Sequence, residues 1–168
     1  MGNRPPHEDP KEKSGGLEQG TPAFGAGARR RQRPPGGTER ILLVDDERLL
    51  LELLAELLVQ FGYTPLLAEN GERALQILKE EAGRIDMVVL DLSMPGMGGL
   101  RCLQEMLGMD PGLKVLISSG YAASRKVNEA MKSGAAGFVT KPYDHAHILQ
   151  EIREILDARG HKGAKRRE

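Results

Sequence analysis

Residues 39–160 are predicted to fold as an α/β domain: an open, mostly parallel five-stranded sheet with helices on both faces. Three observations predict it. Short, wholly apolar runs recur along this stretch, as expected of strands covered on both sides. Segments with apolar residues at helical spacing alternate with those runs. Glycine and proline fall near several of the joints, where the chain must turn. Repeated strand–helix units of this kind build a parallel sheet with right-handed crossovers.

Ile41-Leu42-Leu43-Val44 is the first apolar run. Leu49, Leu50, Leu53, Leu54, Leu57, Leu58 and Phe61 follow at spacings of one and three, predicting a helix that presents this face to the core and closes near Gly62. Residues 63–68 read as a second strand, and Pro65, which has no N–H to donate, places it at a sheet edge. Ala74, Leu75, Ile77 and Leu78 mark a second helix over 70–81. Met87-Val88-Val89-Leu90 is the third strand, followed by a Pro/Gly loop and a helix from about 100 to 107. Residues 114–117 form the fourth strand, with a helix near 124–132. Residues 137–140 form the fifth strand, and Ile148, Leu149, Ile152, Ile155 and Leu156 line one face of a closing helix. With the second strand at an edge, the flavodoxin-like order 2-1-3-4-5 is the natural one. Roughly 120 residues suffice to bury a core.

Lys and Arg total 24, as do Asp and Glu, so the net charge is zero and no strongly basic or acidic partner is implied. The distribution is uneven. Segments 1–38 and 161–168 each carry +3, which leaves −6 on 39–160, and an acidic body suits a bound cation. Residues 1–38 hold eight Gly, six Pro and little that is large and apolar beyond Leu17 and Phe24. Such a segment cannot bury enough surface to offset chain entropy, so it reads as a disordered linker, and 161–168 reads as a basic disordered tail. Arg29, Arg30, Arg31 and Arg33, like Lys165-Arg166-Arg167, read as solvated charge rather than a nucleic-acid or membrane contact. The lone Cys102 excludes an intramolecular disulfide, fits a reducing compartment, and reads as a small buried helix residue. No apolar run approaches the ~20 residues of a bilayer span. The N-terminus lacks the apolar segment of a secretory signal, so a cytoplasmic protein is expected.

In sheets of this kind ligands bind at the carboxyl ends of the strands. The residues that follow each apolar run are therefore the candidates. Asp45 and Asp46 follow the first, Asp91 the third, Ser118 and Ser119 the fourth, and Thr140, Lys141 and Pro142 the fifth. Four segments thus bring three carboxylates, a hydroxyl and an ammonium to one edge. Carboxylates this close repel unless a cation intervenes, and hard oxygen donors with open positions suit Mg²⁺ (or Mn²⁺). A carboxylate can attack phosphorus to give an aspartyl phosphate, while nearby cations stabilise the charge on the transferring group. This edge is suited to phosphoryl transfer.

Over residues 40–158 the pattern resembles the receiver domains of bacterial response regulators. The matching motifs are Asp45-Asp46, Asp91 within Leu90-Asp91-Leu92-Ser93-Met94-Pro95-Gly96, Ser119, and Lys141-Pro142. The resemblance implies that Asp91 accepts a phosphoryl group from a histidine kinase or a histidine phosphotransfer protein. It implies Mg²⁺ held by Asp45, Asp46, Asp91 and the Ser93 carbonyl, with Ser119 and Lys141 binding phosphoryl oxygens. Phe138, three residues before the lysine, would be the aromatic switch that remodels the surface of the fourth helix, fifth strand and fifth helix for a downstream protein. Ser93 and Tyr121 would tune the lifetime of the phosphorylated state. The peptide between Lys141 and Pro142 is usually cis in the family, and the domain is expected as a monomer or a phosphorylation-dependent dimer. Ser119 and Gly120 stand where threonine and alanine are commoner. Serine lacks the methyl that limits threonine's rotamers, so its coupling to Phe138 is expected to be looser.

Other readings of the same residues are weaker. Asp45 or Asp46 can also cap the first helix. Gly96, Gly98 and Gly99 lack the spacing of a nucleotide loop and read as a turn. His145 and His147, two apart, do not share a helix face and read as surface residues. An aspartate-nucleophile phosphatase of the haloacid dehalogenase kind carries a second Asp two residues after the first, where Ser93 stands. A phosphorylation-independent binding module would not need Asp45, Asp46, Asp91, Ser119 and Lys141 together. About ten residues follow position 158, too few for an output module. The chain therefore reads as a stand-alone phosphorelay receiver or the terminal receiver of a hybrid sensor histidine kinase. The Pro/Gly-rich linker and the runs 36–47 and 118–122 favour the second.

Overall fold

The computed structural model describes residues 1–2, 34, 36–120 and 125–158. The described elements all belong to one unit, Arg33–Glu168, and all that follows concerns it. The elements are β1 (Arg40–Val44), α1 (Arg48–Gln60), β2 (Thr64–Ala68), α2 (Gly71–Glu81), β3 (Met87–Asp91), α3 (Gly99–Met109), β4 (Lys114–Ser119), α4 (Arg125–Lys132), β5 (Gly137–Thr140) and α5 (His145–Asp157). Every strand pairing is parallel, and the order is β2-β1-β3-β4-β5, as predicted. Most of the predicted tails, with their arginine and lysine clusters, and Tyr121 and Ser124 lie outside the described residues; within the described part of segment 1–38, Gly37 N–H donates to Phe61 O at 3.0 Å.

The apolar strands alternate their side chains between two cores. Leu42, Val44, Val88, Leu90, Val115 and Ile117 meet α2, α3 and α4 on one face. Ile41, Leu43, Met87, Val89, Leu116 and Val139 meet α1 and α5 on the other. Burying each such side chain contributes about 1.5–3 kcal/mol, so a one-residue slip would turn both cores inside out. The edge position of β2 follows from its hydrogen bonds. Thr64 N–H donates to Glu39 O at 3.0 Å, so the next residue, Pro65, turns its nitrogen outward, where no donor is needed.

Helix α1 differs from the prediction. Leu49 and Leu53, assigned to its core face, are 68% and 53% exposed, and the buried set is Leu51, Leu54, Leu57 and Leu58. At 3.6 residues per turn the seven predicted positions span about 180° of the helix. One sheet cannot cover that width, and the face turned inward is centred between Leu51 and Leu54. The other helices bury the stripes that their spacing marks. Asn70 opens α2 by accepting from Arg73 N–H at 2.8 Å, and Asp144 opens α5 by accepting from Ala146 N–H at 2.8 Å. Lys114 closes α5, its Nζ donating to Leu156 O at 2.7 Å. Among the described residues no helix is long and apolar enough to cross a membrane.

Strand β4 runs two residues beyond its apolar stretch, so Ser118 pairs with Asp91 and Ser119 with Thr140. That register places the hydroxyls level with the end of β3.

Candidate functional site

Strand ends β1, β3, β4 and β5 meet at one edge of the sheet. Oxygens of Asp45, Asp46 and Asp91 lie within 4.8 Å of one another. Asp45 and Asp91 are buried, whereas Asp46 faces solvent. Each carboxylate reaches this point because a strand ends there and the chain turns. Asp45 Oδ1 accepts from Glu47 N–H at 2.9 Å, which satisfies a donor at the start of α1. Asp45 therefore holds the turn that leads into α1, whose N-cap Glu47 has no side-chain cap, while its second oxygen meets Lys141.

Lys141 follows β5, and its backbone N–H donates to Ser119 O at 2.8 Å. This bond fixes the lysine beside β4. Its Nζ sits 2.6 Å from Asp45 Oδ2 and 3.7 Å from Asp91 Oδ1. The peptide after it, Lys141-Pro142, is cis. Burial disfavours the ammonium, but the Asp45 hydrogen bond and charge, with Asp91 behind them, outweigh it and raise the Lys141 pKa. The lysine stays charged.

Asp91 is 4% exposed, and its Oδ1 is buried without a hydrogen-bond partner. Burial raises its carboxyl above the ordinary range. Lys141 and the Ser93 N–H pull it back, and Asp45 and Asp46 push it up again. A carboxylate oxygen without a hydrogen bond, beside two more carboxylates, is the position a cation or an incoming electrophile would satisfy. The oxygen-only donor set, partly open to solvent, fits Mg²⁺ better than softer metals.

Ser119 is buried at the end of β4, close to this pocket in the register. Phe138 lies elsewhere: it pairs with Ile117 on edge strand β5 and is 40% exposed. His145 and His147 are exposed on α5, as predicted for surface residues. Cys102 is fully buried, and burial pushes its thiol up to about 12, so it behaves as an inert apolar residue. Sequence reasoning missed what Gly99 does. A Cβ there would overlap Asp91 O and crowd Leu92 Cα, so only glycine lets α3 start against the backbone of Asp91. The signal was present as the glycine run 96–99, which was read only as a turn.

The comparisons with known proteins agree with this geometry. A family model for the response regulator receiver domain matches residues 41–153, most of the chain. The chain belongs to the response regulator receiver domains. Among curated relatives, sporulation initiation phosphotransferase F of Bacillus subtilis is 35% identical over 118 residues, covering 70% of this chain and 94% of that protein. Chemotaxis protein CheY of Thermotoga maritima is 30% identical over 118 residues, covering 70% and 97%. Among solved structures, a chain of the CheX-CheY-BeF3-Mg²⁺ complex from Borrelia burgdorferi superposes with TM-score 0.67 at 30% identity, covering 70% of this chain and 88% of that one. The receiver is thus a phosphoacceptor module of two-component signalling, and its acidic cluster stands at the strand ends where such sheets bind their ligands.

Proposed function

We propose that Asp91 is the phosphoacceptor, and the observation that carries this is its buried Oδ1, without a hydrogen bond and 3.7 Å from the Lys141 ammonium. Asp45, Asp46, Asp91 and the Ser93 carbonyl would hold Mg²⁺ (or Mn²⁺), which when bound neutralises the carboxylates and the charge on the transferring group. An Asp91 oxygen forms the new P–O bond as the donor's bond to phosphorus breaks. For a phosphohistidine donor the leaving imidazole nitrogen keeps the electron pair. Ser119 then donates to one phosphoryl oxygen, and Lys141 exchanges part of its contact with Asp45 for another. The domain's chemistry is confined to its own phosphorylation and dephosphorylation, unless it forms part of a longer kinase.

The exposed Phe138 is the proposed switch. As Ser119 moves toward the phosphoryl group it vacates space behind β4, and the ring turns inward. The surface of α4, β5 and α5 then changes for a downstream protein. Helix α4 is suited to this, because it buries only Val127 and Ala130. The donor is a histidine kinase or histidine phosphotransfer protein. The receiver is read as residues 39–160 of a cytoplasmic protein, a monomer or a dimer formed on phosphorylation. Tyr121, outside the described residues, keeps with Ser93 its proposed role in tuning phosphoryl lifetime.

Intact-protein mass after incubation with acetyl phosphate tests the reading. A gain of one phosphoryl group, about 80 Da, that needs Mg²⁺ and disappears in Asp91→Asn is expected. No gain under conditions that label a control receiver would leave binding without phosphorylation as the alternative.

A further inference from the structure

Two hydroxyl-bearing residues, Ser118 and Tyr143, stand on a small cavity beside Asp45 and take no part in the chemistry above. Ser118, the residue before Ser119, is 2% exposed, and its Oγ is buried without a hydrogen bond of proper geometry. Tyr143, two residues after Lys141, stands on the same small cavity as Ser118 and Asp45. The Tyr143 ring packs against the core shared by α1 and α5. Asp45, Ser118 and Tyr143 line a cavity of about 10 Å³, with space for about one water and for little else.

Packing alone does not call for either hydroxyl. An aliphatic residue would fill position 118, and phenylalanine would pack as tyrosine does at 143. A buried, unsatisfied hydroxyl is disfavoured until a partner arrives, and Tyr143 on the same cavity carries the hydroxyl that can become one. The backbone already joins these segments once, through Lys141 N–H to Ser119 O. A second tie between Ser118 and Tyr143 would brace the chain on both sides of Lys141, leaving its side chain to move between Asp45 and Asp91.

We propose that Ser118 and Tyr143 form a hydroxyl latch between β4 and the segment after Lys141 that positions the lysine for the phosphoryl group on Asp91. Both are positioning residues, and the proposal rests on Asp91 being the phosphoacceptor. The test is the rate of labelling by acetyl phosphate at saturating Mg²⁺, for wild type, Tyr143→Phe, Ser118→Ala and the double variant. Mg²⁺ affinity is measured alongside by calorimetry. Each single variant is expected to label roughly five- to tenfold more slowly, the value of one hydrogen bond. The Mg²⁺ affinity should stay within about twofold, and the double variant should be no slower than the singles. Unchanged rates in Tyr143→Phe, losses that add independently, or a parallel fall in Mg²⁺ affinity would overturn the latch. Wild type that takes no label, or Asp91→Asn that takes it equally well, would instead overturn the Asp91 reading and the latch with it.

Discussion

Burial raises the Asp91 carboxyl above 3.8 against the pull of Lys141 and the Ser93 N–H, with Asp45 and Asp46 adding to the rise. The folded protein therefore holds this proton more tightly than the unfolded chain does. Stability falls as pH rises through the window above 3.8, and the penalty persists at neutral pH. Asp91→Asn removes that penalty. In metal-free buffer at pH 7 the variant should melt higher than wild type, by roughly 2–4 °C for each kcal/mol relieved, and the gap should close as pH falls toward 3.8. A variant that melts lower at pH 7 would show that Asp91 is already well paired. The residues proposed for the site were legible in the sequence because each of Asp45, Asp91, Ser119 and Lys141 follows an apolar run. Their pairing was not. Nothing in the order of residues says that Lys141 rests on Asp45 rather than Asp91, or that Asp45 accepts from Glu47 N–H in the turn before α1. Those choices are set by a few ångströms of three-dimensional spacing between segments 96 positions apart.

Element by element, the periodic patterns located all five strands and all five helices, and the largest error concerned a helix face. Seven apolar residues in α1 are more than one face can hold, and spacing alone did not say which would turn outward. Leu49 and Leu53 did, while Leu58 is fully buried. Leu58→Ala should lower the unfolding free energy in urea by about 2–5 kcal/mol, whereas Leu53→Ser should change it by no more than about 0.5 kcal/mol. Equal losses would mean that Leu53 packs against something within the receiver. The strand ends were short in the prediction for a related reason. Ser118 and Ser119 are polar and so looked like loop, yet β4 carries them to its last pairings with β3 and β5, level with Asp91.

For the whole molecule, the order β2-β1-β3-β4-β5 brings four strand ends to one edge and collects negative charge there. A fold that gathers buried carboxylates is stabilised by the cation it attracts. Mg²⁺ at ten times its dissociation constant should raise the unfolding free energy by about 1.4 kcal/mol, read as a shift in the urea midpoint. Asp46→Asn, which spares the buried pair and removes the solvent-facing negative charge, should weaken that response. An unchanged midpoint in wild type would remove Mg²⁺ from the account. The fold was legible because the strand–helix alternation repeats five times, and the site because the topology dictates where strands end.

The claim at the centre is that the phosphoryl group sits on Asp91. Borohydride reduces an aspartyl phosphate to homoserine, so treating the labelled protein with it and sequencing its peptides by mass spectrometry locates the modified residue. Homoserine at position 91 and nowhere else is the predicted result. Homoserine at Asp45 or Asp46, or none in protein that has gained the phosphoryl mass, would contradict it.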